Sequence, residues 1–184
     1  MKVILISGKS GHGKDTMAGM LKEMMEADGK SVLTIHYADL LKFICRQYFG
    51  WNGEKDDYGR SLLQRVGTDV IRAKDNDFWV RFVASFLELF PDEWDYVLIP
   101  DTRFPNEISA IKRRFDATHL KMVREDYDSP LSPEQQNHPS ETALDGVIPD
   151  CTISIRSGGL DIMREAAKKF YQIVEHPVQL VQSL

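Results

Sequence analysis

The chain has 184 residues, of which 42% are hydrophobic and 28% charged, and its formal net charge is −5. This length suits a single domain with a full core, and the acidic balance argues against sequence-independent nucleic-acid binding, which depends on surplus lysine and arginine. No run approaches the ~18 consecutive apolar residues of a membrane span, so we expect a cytoplasmic protein with neither a nucleic-acid nor a membrane partner. Cys45 and Cys151 form no paired motif, which indicates reduced side chains.

A phosphate-binding loop is predicted at residues 8–16. An apolar run at 3–7 predicts a buried strand, and a helical pattern follows the segment Gly-Lys-Ser-Gly-His-Gly-Lys-Asp-Thr. The spacing fits G-x-x-x-x-G-K, in which glycines let successive N–H groups point at one anion and the helix N-terminus adds positive charge. The alternative is a glycine-rich turn without a ligand. The residues predicted to hold phosphate are Lys9, Gly11, His12, Gly13, Lys14, Asp15 and Thr16, and the mobile charge of Lys14 makes it catalytic as well.

One position departs from the general motif. Asp15 stands where a serine or threonine normally touches Mg²⁺, and Thr16 follows one residue later. A carboxylate beside a polyphosphate repels it unless a metal or a lysine intervenes. Asp15 therefore either points away or reaches Mg²⁺ through water, and both residues are predicted metal contacts.

A helical insertion at 38–92 is predicted to hold a second substrate. Asp39 lies near the carboxyl end of the second strand, where ligands bind in open α/β sheets, and is either a substrate contact or a helix cap. Arg65 and Arg72 are seven residues apart and are predicted to project from a similar side, although Arg65 could equally form a surface pair with Asp69. The predicted elements are a strand at 32–37, helices at 38–49, 59–74 and 78–90, and a polar loop at 51–58.

The third strand, predicted at 96–100, leads to a second group of candidate site residues. A carboxylate at a strand end beside a phosphate loop suits Mg²⁺ or its water shell, which makes Asp101 a predicted metal contact. Arg103, two residues on, can grip a phosphate with its planar guanidinium group. The alternative is a turn cap at Asp101 and a surface arginine at 103.

The remaining elements complete an α/β pattern. A long acidic segment at 124–147 is predicted as a lid, with Ser140 as a helix cap. Five strands alternating with helices predict a five-stranded parallel sheet covered on both faces, a three-layer α/β/α fold, here of one domain over 1–184. The other predicted elements are a helix at 108–115, strands at 118–123 and 151–155, and a last helix ending near 174.

Several segments resemble the deoxynucleoside monophosphate kinases of bacteriophages, within the P-loop nucleoside monophosphate kinase group. They are Gly-Lys-Asp-Thr at 13–16, Tyr-Ala-Asp-x-Leu-Lys at 37–42, Leu-Leu-Gln-x-x-Gly-Thr-Asp at 62–69, Phe-Trp-Val at 78–80, Asp-x-Arg-Phe-Pro-Asn-Glu at 101–107 and His-Pro-Ser-Glu at 138–141. Each motif outside the loop is weak alone, but their order and spacing are specific. The resemblance implies a P-loop NTPase fold, a host-cytoplasmic setting, and transfer of the γ-phosphoryl group of ATP, with Mg²⁺, to a deoxynucleoside monophosphate.

The resemblance also implies roles for individual residues. The loop would hold ATP, and Arg103 and Arg124 would act on the transferred group. Apart from the resemblance, an alcohol acceptor would need a general base, for which Asp39 is the candidate. Residues 124–147 carry arginine only at position 124, so Arg124, Arg156 or the partner of a homodimer would have to cover the transition-state charge. The residues that would contact the acceptor are Tyr37, Asp39, Lys42, Arg65, Arg72, Trp79, Arg81 and Arg103, and those near adenine are Arg156 and Gly158.

Three other functions remain open at this stage. One is another small-molecule P-loop kinase, acting on phosphomevalonate or dephospho-coenzyme A. A second is a nucleotide-binding switch, which is disfavoured because the guanine-reading Asn-Lys-x-Asp is absent from the chain. A third is a non-catalytic nucleotide-binding module.

Overall fold

The computed structural model describes residues 1–176, and its centre is a five-stranded parallel sheet with the strand order β2-β3-β1-β4-β5. The predicted three-layer α/β/α fold is confirmed. Residues 177–184, the end of the predicted domain, lie outside the described part of the chain. The strands are β1 (Lys2–Ser7), β2 (Val32–Thr34), β3 (Tyr96–Thr102), β4 (Asp116–Arg124) and β5 (Cys151–Ile155).

Helices cover both faces of this sheet. Helix α3 continues without a break into wider π-helical turns at Arg65–Arg72. No helix within residues 1–176 is long and apolar enough to cross a membrane. The helices are α1 (Lys14–Ala27), α2 (Ala38–Tyr48), α3 (Asp57–Gln64), α4 (Phe78–Leu89), α5 (Pro105–Lys112), α6 (Pro133–Gln136), α7 (Pro139–Thr142) and α8 (Leu160–Glu175).

Alternation along the central strand divides the core into two layers. Ile4 and Ile6 of β1 pack with α1 and α8 on one face, whereas Val3 and Leu5 pack with α2, α4 and α5 on the other. Successive side chains of a strand point to opposite faces, so an uninterrupted apolar strand requires cover on both sides. The sheet thereby fixes the carboxyl ends of β1 and β3 side by side, which positions the site.

Several predicted boundaries were wrong at the carboxyl ends of the strands. β2 ends at Thr34 instead of residue 37, because the Tyr37 N–H donates to the Asp101 carboxylate and starts the turn into α2. β3 runs on to Thr102, so Asp101 lies within the strand. α5 starts at Pro105, and not at 108, because proline fits the first helical position.

The predicted lid, residues 124–147, contains two short helices, α6 and α7. Ser140 is not the helix cap that was predicted. His138 caps α7 by accepting a hydrogen bond from the Ser140 N–H at 3.2 Å, and Pro139 fills the first helical position. The serine is therefore already inside the helix.

Candidate active site

The glycine-rich segment between β1 and α1 forms a tight loop. Gly11 and Gly13 have φ of +81° and +82°, in the left-handed region that favours glycine. A Cβ atom on Gly11 would collide with the Tyr127 hydroxyl oxygen. The backbone conformation therefore favours glycine at both positions, in a loop whose N–H groups can face an anion.

Lys14, the first residue of α1, has its side chain inside this loop. The side chain is buried, and its Nζ donates to the Lys9 carbonyl oxygen at 2.9 Å. Burial, together with the positive charge of Arg103, lowers the pKa of Lys14 to about 8. A nearby anion would oppose both effects and favour the charged amine.

The loop already holds one anionic side chain, that of Glu141 from α7. Glu141 Oε2 accepts from the Ser10 N–H at 2.8 Å, while Oε1 pairs with Arg103 Nη1. Arg103 Nη1 also donates to the Ser140 carbonyl oxygen at 2.9 Å. Burial opposes ionisation of Glu141, but Arg103 and the Ser10 N–H outweigh it and hold the carboxyl pKa below its usual value. The loop thus has the geometry to bind an anion.

Asp101 joins the end of β3 to the start of α2. Its Oδ1 accepts from the Tyr37 N–H at 3.0 Å and its Oδ2 from the Ala38 N–H at 2.9 Å. Asp15 is 79% exposed and lies 3.3 Å from His36 Nε2, which lowers its carboxyl pKa. Within residues 1–176 no three acidic, histidine or cysteine side chains cluster as a metal cage. The carboxylates of Asp101 and Asp15 are a donor set that fits Mg²⁺, because this ion is usually bound by one or two carboxylates together with waters and the phosphates of the nucleotide.

A cavity of about 320 Å³ opens directly onto the loop. This volume lies at the lower end for small-molecule sites and suits one ligand of nucleotide size or less. Trp79 forms part of the wall, fixed by its Nε1–H donating to the Gly67 carbonyl oxygen at 3.0 Å. Leu131 and Glu141 bring residues of 124–147 into the lining. The basic lining residues are Lys14, Lys42, Lys55, Arg60, Arg72 and Arg103.

A buried ion pair stiffens one wall of this cavity. Arg72 Nη2 donates to Glu107 Oε1 at 2.7 Å, and its guanidinium carbon lies 3.9 Å from the centroid of the Phe104 ring. Glu107 Oε2 accepts from the backbone N–H groups of Arg103 and Phe104 at 2.6 and 3.0 Å. Burial raises the pKa of Glu107, and Arg72 opposes that rise. The network fixes the backbone of Arg103.

The structure brings many of the predicted site residues to this cavity. Gly11 and Asp15 line it from the loop and Asp101 and Arg103 from the end of β3, with Tyr37, Lys42, Arg72 and Trp79 around them. Tyr37 is held by its hydroxyl, which donates to the Glu107 carbonyl oxygen at 3.3 Å. Sequence reasoning missed Ser10, Lys55, Arg60, Glu107 and Glu141. The sequence did contain a signal for the two glutamates, because they are the last residues of the Asp-x-Arg-Phe-Pro-Asn-Glu and His-Pro-Ser-Glu motifs.

Two predicted acceptor arginines lie elsewhere. Arg65 is exposed whereas Arg72 is buried, because the π-helical turns between them are wider than α-helical ones and a spacing of seven no longer returns to one side. Arg81 forms an exposed ion pair with Asp75 beside a shallow groove of α4. The prediction that these two residues face the acceptor is therefore not supported by their positions.

The other predicted residues do not line the cavity. Arg124 Nη1 donates to the Gly11 carbonyl oxygen at 3.2 Å, and its Nε donates to Ser157. Arg156, 80% exposed, lies 3.5 Å from Glu125. Lys9 is exposed and lies near Asp145, and His12 lies beside the Met122 carbonyl oxygen. Thr16 is exposed, Asp39 pairs with Lys42, and Gly158 has a φ of +77°.

Comparisons with known proteins agree on a kinase. A family model described as deoxynucleotide monophosphate kinase matches residues 41–164. The deoxynucleotide monophosphate kinase of enterobacteria phage T4 is 30% identical over 110 residues, which span 59% of this chain and only 39% of that relative's length. The phosphomevalonate kinase of Drosophila melanogaster is 24% identical over 168 residues, 89% of this chain and 87% of that protein.

Solved structures share the fold. An APS kinase from Mycobacterium tuberculosis, determined in complex with AMPPNP and APS, superposes with a TM-score of 0.57 at 15% identity. The alignment covers 95% of this chain and 97% of that one. At this identity the likeness concerns the fold alone.

Proposed function

The chain belongs to the deoxynucleotide monophosphate kinase family, and from this membership we propose that it transfers the γ-phosphoryl group of ATP to a deoxynucleoside monophosphate. The observation that carries the proposal is the cavity beside the phosphate loop. It has room for one ligand, and it carries Lys42, Lys55 and Arg60 in addition to the loop lysine. A cationic pocket of this size next to a phosphate loop suits a small anionic acceptor.

The loop would bind and orient the phosphates of ATP. Backbone N–H groups from Ser10 onward and the buried Lys14 present positive charge from one side, and Arg103 presents it from the other. Phosphoryl transfer needs in-line positioning and cover for charge on the moving group, with little covalent help. Asp101, with Asp15 or Thr16 nearby, would hold Mg²⁺ or its water shell, and the bound ion would supply charge neutralisation for the phosphates.

The acceptor would lie in the cavity with its phosphate toward the loop. Lys42, Lys55 and Arg60 would contact that phosphate, while Trp79 and Tyr37 offer aromatic surface for the base or sugar. A monophosphate oxygen is already anionic at neutral pH, so the reaction needs no general base. The exposed Asp39 therefore has no required chemical role in this proposal.

Leu131, in the segment 124–147 but outside α7, would exclude water from the transfer. Leu131 is 8% exposed and lines the cavity together with Ser140 and Glu141. The segment is braced internally, since Gln136 Nε2 donates to the Leu131 carbonyl oxygen at 2.7 Å. A kinase that admits water beside bound ATP becomes an ATPase, and an apolar side chain over the pocket opposes that.

A phosphomevalonate kinase is the second candidate, because the Drosophila enzyme aligns with 89% of this chain. An acceptor panel with ADP release as the readout separates the two. We expect release with at least one deoxynucleoside monophosphate at rates far above the no-acceptor background. Release with phosphomevalonate or dephospho-coenzyme A, and none with any nucleoside monophosphate, would contradict the proposal.

A further inference from the structure

The segment 124–147 presents a carboxylate to the phosphate loop. Glu141 accepts hydrogen bonds from the Ser10 N–H and from Arg103, and its side chain is only 6% exposed. The charge of Lys14 further favours its ionised form. A backbone N–H and an arginine thus both donate to one carboxylate, beside the charge of the loop lysine.

Those groups are the ones that a phosphate would use. An ionised carboxylate accepts hydrogen bonds through two oxygens and donates none, as a phosphate does, and charge-assisted contacts of this kind are strong. A phosphate on the Ser10 N–H would also lie within a few ångströms of the carboxylate, and the two negative charges would repel each other. Glu141 and a nucleotide phosphate are therefore mutually exclusive at Ser10.

The same contacts connect the segment to the rest of the site. Glu141 lies on α7, whose start is fixed by the His138 cap, and Asp145, in the turn that follows α7, reaches Lys9 Nζ at 3.4 Å. The Asp145 pair is more than half exposed, and pairs of this kind contribute little. Glu141 is therefore the main attachment of α7 to the loop, and it also occupies Arg103.

We propose that Glu141 is an internal competitor of ATP: nucleotide phosphate displaces its carboxylate from Ser10, which detaches α7 from the loop and frees Arg103 for the transferred group. The proposal rests on the proposed function only in that the loop binds ATP. If the carboxylate is docked nine-tenths of the time, ATP binds roughly tenfold more weakly than the intrinsic affinity of the loop.

The first test measures ligand binding by calorimetry, without a phosphoryl acceptor, for Glu141→Gln and for the wild-type protein. The two ligands are a non-hydrolysable ATP analogue with Mg²⁺ and inorganic tripolyphosphate. Glutamine keeps the side-chain size and removes the charge, so we expect the Kd of both ligands to fall roughly five- to tenfold. Glu134→Gln, at the exposed start of α6, removes the same charge from the same segment and should leave both values unchanged. Unchanged or weaker binding by Glu141→Gln would overturn the proposal.

The second test uses the wild-type protein and so does not depend on how a variant folds. Saturating tripolyphosphate should increase deuterium uptake in peptides covering 139–145, because α7 loses its attachment to Ser10. Increased protection of those peptides would refute displacement. Neither readout involves a phosphoryl acceptor, so a failed displacement and a failed kinase assignment are distinguishable.

Discussion

Replacing Arg103 by alanine removes the guanidinium group that faces the phosphate loop. Arg103 Nη1 makes two contacts to acceptors, the Ser140 carbonyl oxygen at 2.9 Å and the Glu141 carboxylate, and the side chain is 31% exposed. Hydrogen bonds involving a charged group contribute about 1.5–3 kcal/mol each. Two such contacts to the transferred group, taken at the lower value because of the partial exposure, amount to about 3 kcal/mol.

That figure corresponds to a loss of about a hundredfold in kcat. Because Arg103 also holds Glu141 on the loop, its removal should weaken the competitor, and the KM for ATP should stay within a few-fold of the wild-type value. The assay is steady-state ADP release with saturating deoxynucleoside monophosphate. Arg113→Ala, which removes an exposed arginine at the end of α5, is the matched control. A normal kcat for the Arg103→Ala enzyme would show that Arg103 does not contact the transferred group.

Three further perturbations test the loop and the cavity wall. Lys14→Ala should abolish phosphoryl transfer. In the wild-type protein, the ATP affinity measured by calorimetry should fall as the pH rises above about 8, because Lys14 loses its charge through that pKa. An ATP affinity that does not change up to pH 9.5 would contradict this role of the Lys14 charge. Arg72→Met leaves Glu107 buried without its partner and should cost about 3–5 kcal/mol of unfolding free energy in urea, whereas a change below ~1 kcal/mol would show that the pair is not buried as described. Gly11→Ala should weaken ATP binding because the φ of Gly11 is +81°. The control is Gly19→Ala, inside α1 with no atom within 4 Å of the added Cβ, which should raise the free energy of unfolding by about 0.5–1 kcal/mol. Equal effects of the two alanines on ATP binding would refute the loop geometry.

The sheet and the loop could be predicted because their signals are local. The apolar run at 3–7, the glycines at fixed spacing and the helical pattern after them predict a strand, a loop and a helix without any distant contact. The family match confirms the resemblance to phage deoxynucleoside monophosphate kinases. Strand ends were less predictable. β2 stops early because the Asp101 carboxylate, 64 residues away, takes the N–H of Tyr37.

The rest of the site depends on contacts that no local pattern reveals. Glu141 reaches the Ser10 N–H across 131 residues of sequence, and its motif gives no indication of a partner. Arg65 and Arg72 were predicted on one side from α-helical periodicity, which the π-helical turns do not obey. Arg103, directly after β3, donates to the Ser140 carbonyl oxygen and to Glu141 of the lid, a contact that the sequence of the lid does not reveal.

Phosphorus NMR of the wild-type protein with ATP, Mg²⁺ and a deoxynucleoside monophosphate distinguishes phosphoryl transfer to the acceptor from hydrolysis of ATP. A kinase of the proposed kind converts the mixture to ADP and a deoxynucleoside diphosphate in equal amounts, with little inorganic phosphate. ADP accompanied by inorganic phosphate alone, or spectra that do not change for any deoxynucleoside monophosphate, would contradict the account.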